Sequence, residues 1–253
     1  MIHPTAIVDS PVPASAEIGP WAVIGPGVEF GEDVVVGPHA VVMGPLRTGD
    51  GVSIGPSAVI GTDPQDLKYR GEETRLEIGD RTVIREFANI NRGTVETGCT
   101  VVGSDCFIMA YVHIAHDCRI GNGVILANAV NVAGHVEIGD SAVVGGVVPV
   151  HQFVRIGSFS MIGGGYRVSK DVPPFCLVGG YPMKVVSLNM VGLRRSGFDD
   201  ERLQALSRAF RFLFRGEGFL TDKVKELLSG EDPGSDAREL AEFVLSSKRG
   251  VVS

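Results

Sequence analysis

From Val102 to Val168 every sixth residue is aliphatic: Val102, Ile108, Ile114, Ile120, Leu126, Val132, Ile138, Val144, Val150, Ile156, Ile162 and Val168. A six-residue pulse held over that many cycles fits neither a helical period nor the two-residue alternation of a simple strand. It predicts a β-solenoid, in which short strands and tight corners repeat and each coil rests on the one before. The same phase runs through Ile18, Ile24, Phe30, Val36, Val42, Thr48, Ile54 and Ile60, and glycine follows seven of those eight. Glycine at that place is expected to supply the positive φ of a corner. Two residues before each pulse stands another small or aliphatic side chain, as in Ala22-x-Ile24. Two inward residues flanking an outward one make a short strand.

The beat fails at Asp66, Glu72 and Glu96 and resumes in phase at Ile78, Ile84, Ile90 and Val102. Two excursions from the coil wall are implied, near 62–76 and 93–101. Polar excursions of this kind on a tight solenoid are usually functional or contact-forming. After Asp171-Val-Pro-Pro174 the beat stops and helical signals begin, so residues 1–183 read as coil and 184–253 as a C-terminal helical domain. Asp199 or Asp200 caps a helix with Leu203, Leu206, Phe210 and Phe214 on its apolar face. Thr221 and Ser235 are the expected caps of two more helices, ending near Gly230 and Gly250. Residues 1–183 carry 11 basic and 19 acidic groups, and 184–253 carry 12 and 11. Arg194, Arg195, Arg202, Arg208, Arg211 and Arg215 concentrate this charge, which favours an anion or an acidic partner near the helical end; for the last four a solvated helix face is an equal reading.

A net charge of -7 argues against general affinity for nucleic-acid phosphates. Cys99, Cys106, Cys118 and Cys176 form no C-x-x-C pair, which points away from a zinc ribbon or a redox dithiol. The N-terminus has no basic leader or apolar signal region, and no stretch approaches the roughly 18 apolar residues of a membrane span. A cytoplasmic protein without an integral membrane segment is expected.

Three hexads make one triangular coil of about 18 residues, so residues that far apart stack at about the 4.8 Å spacing of neighbouring strands. His116, Gly134 and Gln152 then share one column, and Asp117, His135 and Phe153 share the next. His113 and His151 lie close by, so imidazoles gather along one edge over three coils. Two chemistries suit such a group. Imidazole is a common metal ligand, although His113-x-x-His116 has no second carboxylate or cysteine near it. A neutral histidine is also a general base, able to take a proton from a hydroxyl attacking a thioester. Gly134 would offer a backbone N–H to the developing oxyanion, or is simply a corner glycine. Asp117 is placed to orient either His116 or His135.

His113-Ile-Ala-His-Asp-Cys118, Ala133-Gly-His135, His151-Gln-Phe153, Asp66-Leu-Lys-Tyr69 and Arg92-Gly-Thr94, in that set, resemble the bacterial UDP-N-acetylglucosamine O-acyltransferases that open lipid A synthesis. The resemblance covers nearly the whole chain, including Gly192-Leu-Arg-Arg195. It implies a left-handed parallel β-helix, a homotrimer with its site between neighbouring subunits, and no metal or resident cofactor. The implied reaction moves an (R)-3-hydroxyacyl group from acyl carrier protein, on its phosphopantetheine, to the 3-hydroxyl of UDP-GlcNAc. Carried over, His116 is the general base, Asp117 its polarising neighbour and Gly134 the oxyanion donor. His135 contacts substrate, and Asp66, Lys68, His113, His151 and Gln152 match sugar-nucleotide or donor contacts. Asn189 and Arg195 match positions gripping uracil and phosphates, and Gly164 leaves room for the acyl tail. Val191, Ser196 and Asn91 depart from the residues some members carry, and leave a 3-amino sugar open as the acceptor. A metal-dependent coil enzyme and a non-catalytic scaffold are the readings from other classes.

Overall fold

A computed structural model describes residues 1–230 and 232–253. The chain winds into a left-handed parallel β-helix, an exception to the right-handed crossover rule, followed by helices. Its three walls are parallel sheets of short strands. The first wall runs from Glu17–Ile18 through Met161–Ile162 to the strand Cys176–Gly179. The second runs from Ile7–Val8 to Pro149–Val150, and the third from Val28–Glu29 to Arg155–Ile156. The pulse residue and the residue two before it point inward; Val112, Ile114, Val130 and Val132 are fully buried. Stacked from coil to coil, these aliphatics form a continuous core of the prism.

Register shows why the beat survives both excursions. Val41 pairs with Val59, eighteen residues on, but Val59 pairs with Asn89, thirty on. The first excursion therefore inserts twelve residues, two hexads. Asn89 pairs with His113, twenty-four on, so the second inserts six. The loops themselves are 63–74 and 92–98, shorter than expected, because the strands Arg75–Ile78 and Cys99–Val102 begin inside the anticipated ranges. Both loops leave the second wall and return to the third at the same corner.

The role expected of the glycines is corrected. Of the seven that follow a pulse, only Gly61 has positive φ. The left-handed residue is instead the third after the pulse: Trp21, Asp33, His39, Ser57, Arg81, Phe87, Asp105, Tyr111, Asp117, His135 and Phe153 among others. Glycine after the pulse answers a different demand, close approach of the next coil. A Cβ on Gly19 would lie 2.9 Å from the Pro38 nitrogen, and one on Gly37 2.8 Å from that of Pro56.

Beyond the last regular coil, Cys176–Gly179 forms an antiparallel hairpin with Lys184–Leu188. Four helices follow: α1 (Met190–Arg195), α2 (Asp200–Arg215), α3 (Leu220–Ser229) and α4 (Ser235–Ser246). Asp199 caps α2 by accepting the Arg202 N–H at 2.8 Å, and Leu203, Leu206 and Phe210 are buried beneath it, with Phe214 partly so. Thr221 and Ser235 are not caps: they lie inside the first turns of α3 and α4, behind Phe219 and Gly234. Neither Phe219 nor Gly234 offers a side-chain acceptor, and the Asp232 carboxylate accepts the Gly234 N–H ahead of α4. Gly230 does end α3, but α4 stops at Ser246, short of Gly250. There the tail turns back to the coil: buried Asp171 accepts from Ser247 at 2.7 Å, and its backbone pairs with Gly250 and Val252.

The two corner positions separate by stability. Gly37→Ala is expected to cost about 1–3 kcal/mol by forcing coils apart. His39→Gly, at φ 58, should cost less than about 1 kcal/mol, since left-handed strain is relieved. Urea melts of the two variants check the order.

Candidate active site

The corner between the second and third walls carries the histidine edge. Stacking is as the eighteen-residue arithmetic requires: the His135 N–H donates to the His116 carbonyl at 3.1 Å, and the Phe153 N–H to that of Gly134 at 3.2 Å. An open groove of about 790 Å3 runs along this corner, lined by His113, His116, Gly134 and Gln152 and faced by Asp66 and Lys68.

Asp117 resolves the choice left open between the two rings. Its Oδ2 lies 2.8 Å from His116 Nδ1 but 3.7 Å from His135 Nε2. A carboxylate only accepts, so the His116 proton sits on Nδ1 and Nε2 keeps its lone pair. Asp117 is itself buried, and burial alone would disfavour the carboxylate and raise its pKa. Hydrogen bonds outweigh burial and hold the carboxyl at about 2. They come from the Thr97 hydroxyl, the Thr94 hydroxyl at 2.7 Å, His116, and the Thr94 N–H at 3.0 Å. The Thr100 hydroxyl accepts the Asp117 N–H at 2.8 Å. Loop 92–98 thus exists at this corner to cradle one carboxylate.

In the sequence Thr94 stood within a quoted motif, but the role of these threonines toward Asp117 was missed, although Thr94, Thr97 and Thr100 recur at three-residue spacing where the beat fails. The tethers of the other loop were missed as well. Arg92 donates to the Gly61 carbonyl at 3.1 Å and the Tyr69 hydroxyl at 2.9 Å, and it pairs with Asp63. Asn91 donates to Thr62 and to the Asp63 carbonyl. These contacts hold loop 63–74, with Asp66 and Lys68, over the groove.

Gly134 is fixed by the ring beneath it and not by φ. A Cβ there would stand 2.7 Å from His116 Cε1 and 2.8 Å from Nε2. Its N–H has no hydrogen-bond partner among the described residues. At the same step of another corner, the Asn122 N–H is capped by Asp140 and the Ser104 N–H by Asn122, from the coils above. Elsewhere Pro20, Pro38 and Pro56 dispense with that N–H altogether. At Gly134 the donor is present and has no partner among the described residues.

His135 stacks on Phe153 with centroids 4.6 Å apart and meets His116 edge-on at 5.1 Å. His151 is exposed at the same edge, near Arg249. Gly164 lies at a different corner, exposed, where a Cβ would rest 3.2 Å from the Gly146 carbonyl oxygen. Asn189 caps α1 by accepting the Gly192 N–H and donates to the Phe159 carbonyl. Arg195 stands exposed at the end of α1. One chain therefore gathers His113, His116, Gly134, Gln152, Asp66 and Lys68, and keeps Gly164, Asn189 and Arg195 elsewhere. As for a metal, donor atoms of His116, Asp117 and His135 lie within 4.8 Å of one another. Protein donors already fill the four acceptor positions of Asp117.

Comparison with known proteins bears on the same groove. Residues 99–134 match the family model described as bacterial transferase hexapeptide (six repeats). Residues 171–252 match that of Udp N-acetylglucosamine O-acyltransferase, domain 2. The acyl-(acyl-carrier-protein)–UDP-N-acetylglucosamine O-acyltransferase of Syntrophobacter fumaroxidans is 48% identical over 255 residues, 99% of each chain. The chain belongs to this O-acyltransferase family. The enzyme of that name from Herminiimonas arsenicoxydans is 43% identical over 100% of this chain and 99% of its own. Among solved structures, the UDP-N-acetylglucosamine acyltransferase of Bacteroides fragilis 9343 superposes with a TM-score of 0.92 at 37% identity, covering 100% of both chains. The O-acyltransferase of Moraxella catarrhalis RH4 gives 0.87 at 40%, covering 100% of this chain and 99% of its own.

Gly134→Ala should displace the His116 ring and lower turnover by about 100-fold without changing the melting temperature appreciably. Asp117 adds stability above the ordinary aspartate pKa of about 4, and this is lost as pH falls through about 2. Thr94→Val should therefore destabilise by about 1–3 kcal/mol near neutrality. In urea melts the deficit should shrink as the carboxyl is protonated.

Proposed function

We propose that the chain transfers an acyl group from acyl carrier protein to a hydroxyl of UDP-GlcNAc, the first step of lipid A biosynthesis, with His116 as general base. One observation carries the mechanism: an imidazole with its proton fixed on Nδ1 by an ionised carboxylate, directly beneath an unpaired backbone N–H. Nε2 takes the proton of the sugar hydroxyl as its oxygen bonds to the thioester carbonyl carbon. Charge moves onto the carbonyl oxygen, where the Gly134 N–H donates to it. Collapse breaks the C–S bond, and the departing thiolate recovers the proton from His116. Asp117 stays ionised throughout and stabilises the imidazolium, the part the acid plays in hydrolase triads.

The outward columns of the prism support a homotrimer. On the first wall Val83, Phe107, Ile125, Val143, Met161 and Leu177 stand in register, one per coil, all partly exposed. The adjoining corner adds Trp21, Phe87, Tyr111 and Val147, each at least half exposed, with Phe87 stacked on Tyr111 at 5.0 Å. The third wall shows Glu29, Arg47, Glu77, Val101, Arg119, Glu137 and Arg155, nearly perfect charge alternation. An apolar column of that length marks a contact, and alternating charge marks water. Neighbouring copies meeting on the apolar wall supply the second side of an open groove, and with it Gly164, Asn189 and Arg195. The arginines of α1 and α2, near a small groove between Arg194, Arg208 and Arg211, suit the acidic carrier protein.

His116→Ala should lower kcat by about 100- to 10,000-fold, measured as acyl transfer from hydroxyacyl carrier protein to UDP-GlcNAc. Substantial residual turnover would remove the ring from the base role. Ile125→Glu should yield monomers by sedimentation and abolish transfer while the coil still melts cooperatively. A fully active monomer would sink the shared site.

A further inference from the structure

One polar contact in the groove plays no part in the transfer just described. Asn89 lies directly below His113 in the parallel ladder. Its Oδ1 is 2.9 Å from His113 Nδ1 and 3.4 Å from the Gln65 amide nitrogen. Its own amide nitrogen donates to the Val59 carbonyl at 3.3 Å. With that nitrogen committed to a carbonyl, Asn89 presents only oxygen to the imidazole. The His113 proton therefore sits on Nδ1, and Nε2, the ring's free polar atom, is an acceptor. Burial pushes the ionisation of His113 below the ordinary imidazole value, so the ring is neutral near pH 7.

We propose that Asn89 is a positioning residue that holds His113 as a neutral hydrogen-bond acceptor for a hydroxyl of the bound sugar nucleotide. This rests on reading the groove as the acyl-transfer site, and it assigns recognition to a ring that does no chemistry. His116 takes the attacking proton, and His113, three residues earlier on the same coil, reads a second donor on the same sugar. The same Asn89 oxygen receives Gln65, so one amide links the recognising ring to the loop that carries Asp66 and Lys68. The titratable groups that share the groove with His113 are His116 on its own coil and Asp66 and Lys68 on the loop. Asn89 below and Asn131 above are neutral.

The test compares wild type, Asn89→Leu and Asn89→Asp by UDP-GlcNAc calorimetry and by steady-state acyl transfer across pH. Asn89→Leu should weaken UDP-GlcNAc binding about 5- to 30-fold and leave kcat within about twofold. Asn89→Asp keeps the proton on Nδ1 but favours the imidazolium, whose Nε2 can no longer accept. Its KM for UDP-GlcNAc should match wild type at high pH and climb as pH falls below about 7, where the wild-type KM is flat. A KM–pH profile for Asn89→Asp that overlays wild type, or unchanged affinity in Asn89→Leu, overturns the proposal. Nitrogen NMR of the histidines separates this from failure of the functional reading. Wild type should show His113 protonated at Nδ1 whatever the substrate, and protonation at Nε2 sinks the assignment alone.

Discussion

Stacking one eighteen-residue coil on the next at the spacing of a parallel ladder turns every outward position into a column. A side chain chosen once has neighbours of fixed distance above and below, so whole walls acquire one character. The third wall alternates Glu and Arg with the single interruption of Val101, and presents water with matched charge. The first wall is apolar from Val83 to Leu177. The second changes along its length, from Val23, Val41 and Val59 to Asn89, His113 and Asn131. The site lies where that change occurs, beside two insertions. Geometry repeated for stability is interrupted at one corner only.

The interruption is built so that the core does not feel it. Twelve residues at one level and six at the next are whole hexads, and Ile78, Ile84 and Ile90 return to the inward phase. Each loop then acts on the coil above it. Loop 63–74, tied down by Arg92, brings Asp66 and Lys68 over the groove; loop 92–98 delivers two threonine hydroxyls to Asp117. Asp117 occupies the left-handed corner step, where Asp is among the residues that tolerate positive φ. At φ 61 it accepts His116 without leaving the coil wall. The polar groups of this corner, His116 and Asp117 among them, thus sit on the corner steps and leave the aliphatic interior of the coil unbroken.

Columns were readable from spacing alone, and so was the joint placement of His116 beside Asp117 and under Gly134. Period counting fixes registers because the core residues, Ile114 and Val132 among them, admit no slip. What spacing misjudged was the reason for a glycine. A repeat shows that position one past the pulse is small, and smallness has two causes, φ and proximity. Only coordinates distinguish them, and here the cause is the neighbouring coil. The threonine cradle was opaque for a related reason: it lies in a loop with no period, so nothing links Thr97 to Asp117 before folding. Thr221 and Ser235 failed as caps because their helices begin behind residues without a capping oxygen, and a tally of capping residue types does not detect that.

The same limit explains why one chain leaves Gly164, Asn189 and Arg195 away from the groove. A convex prism whose walls are each one short strand wide offers shallow grooves, and His116 lines an open one. Gly164 sits at another corner, Arg195 stands at the end of α1, and Asn189 is occupied by α1 and the Phe159 carbonyl, so in the proposed trimer they reach the groove from a second copy. The apolar first wall supplies the means, because burying a column of Phe, Ile, Val, Met and Leu drives association without asking for new polar partners. Charge on the third wall blocks the wrong face from doing the same. On the proposed reading the protein is assembled before it is competent, with the His116–Asp117 pair complete within each subunit and the far side of the substrate held by the next.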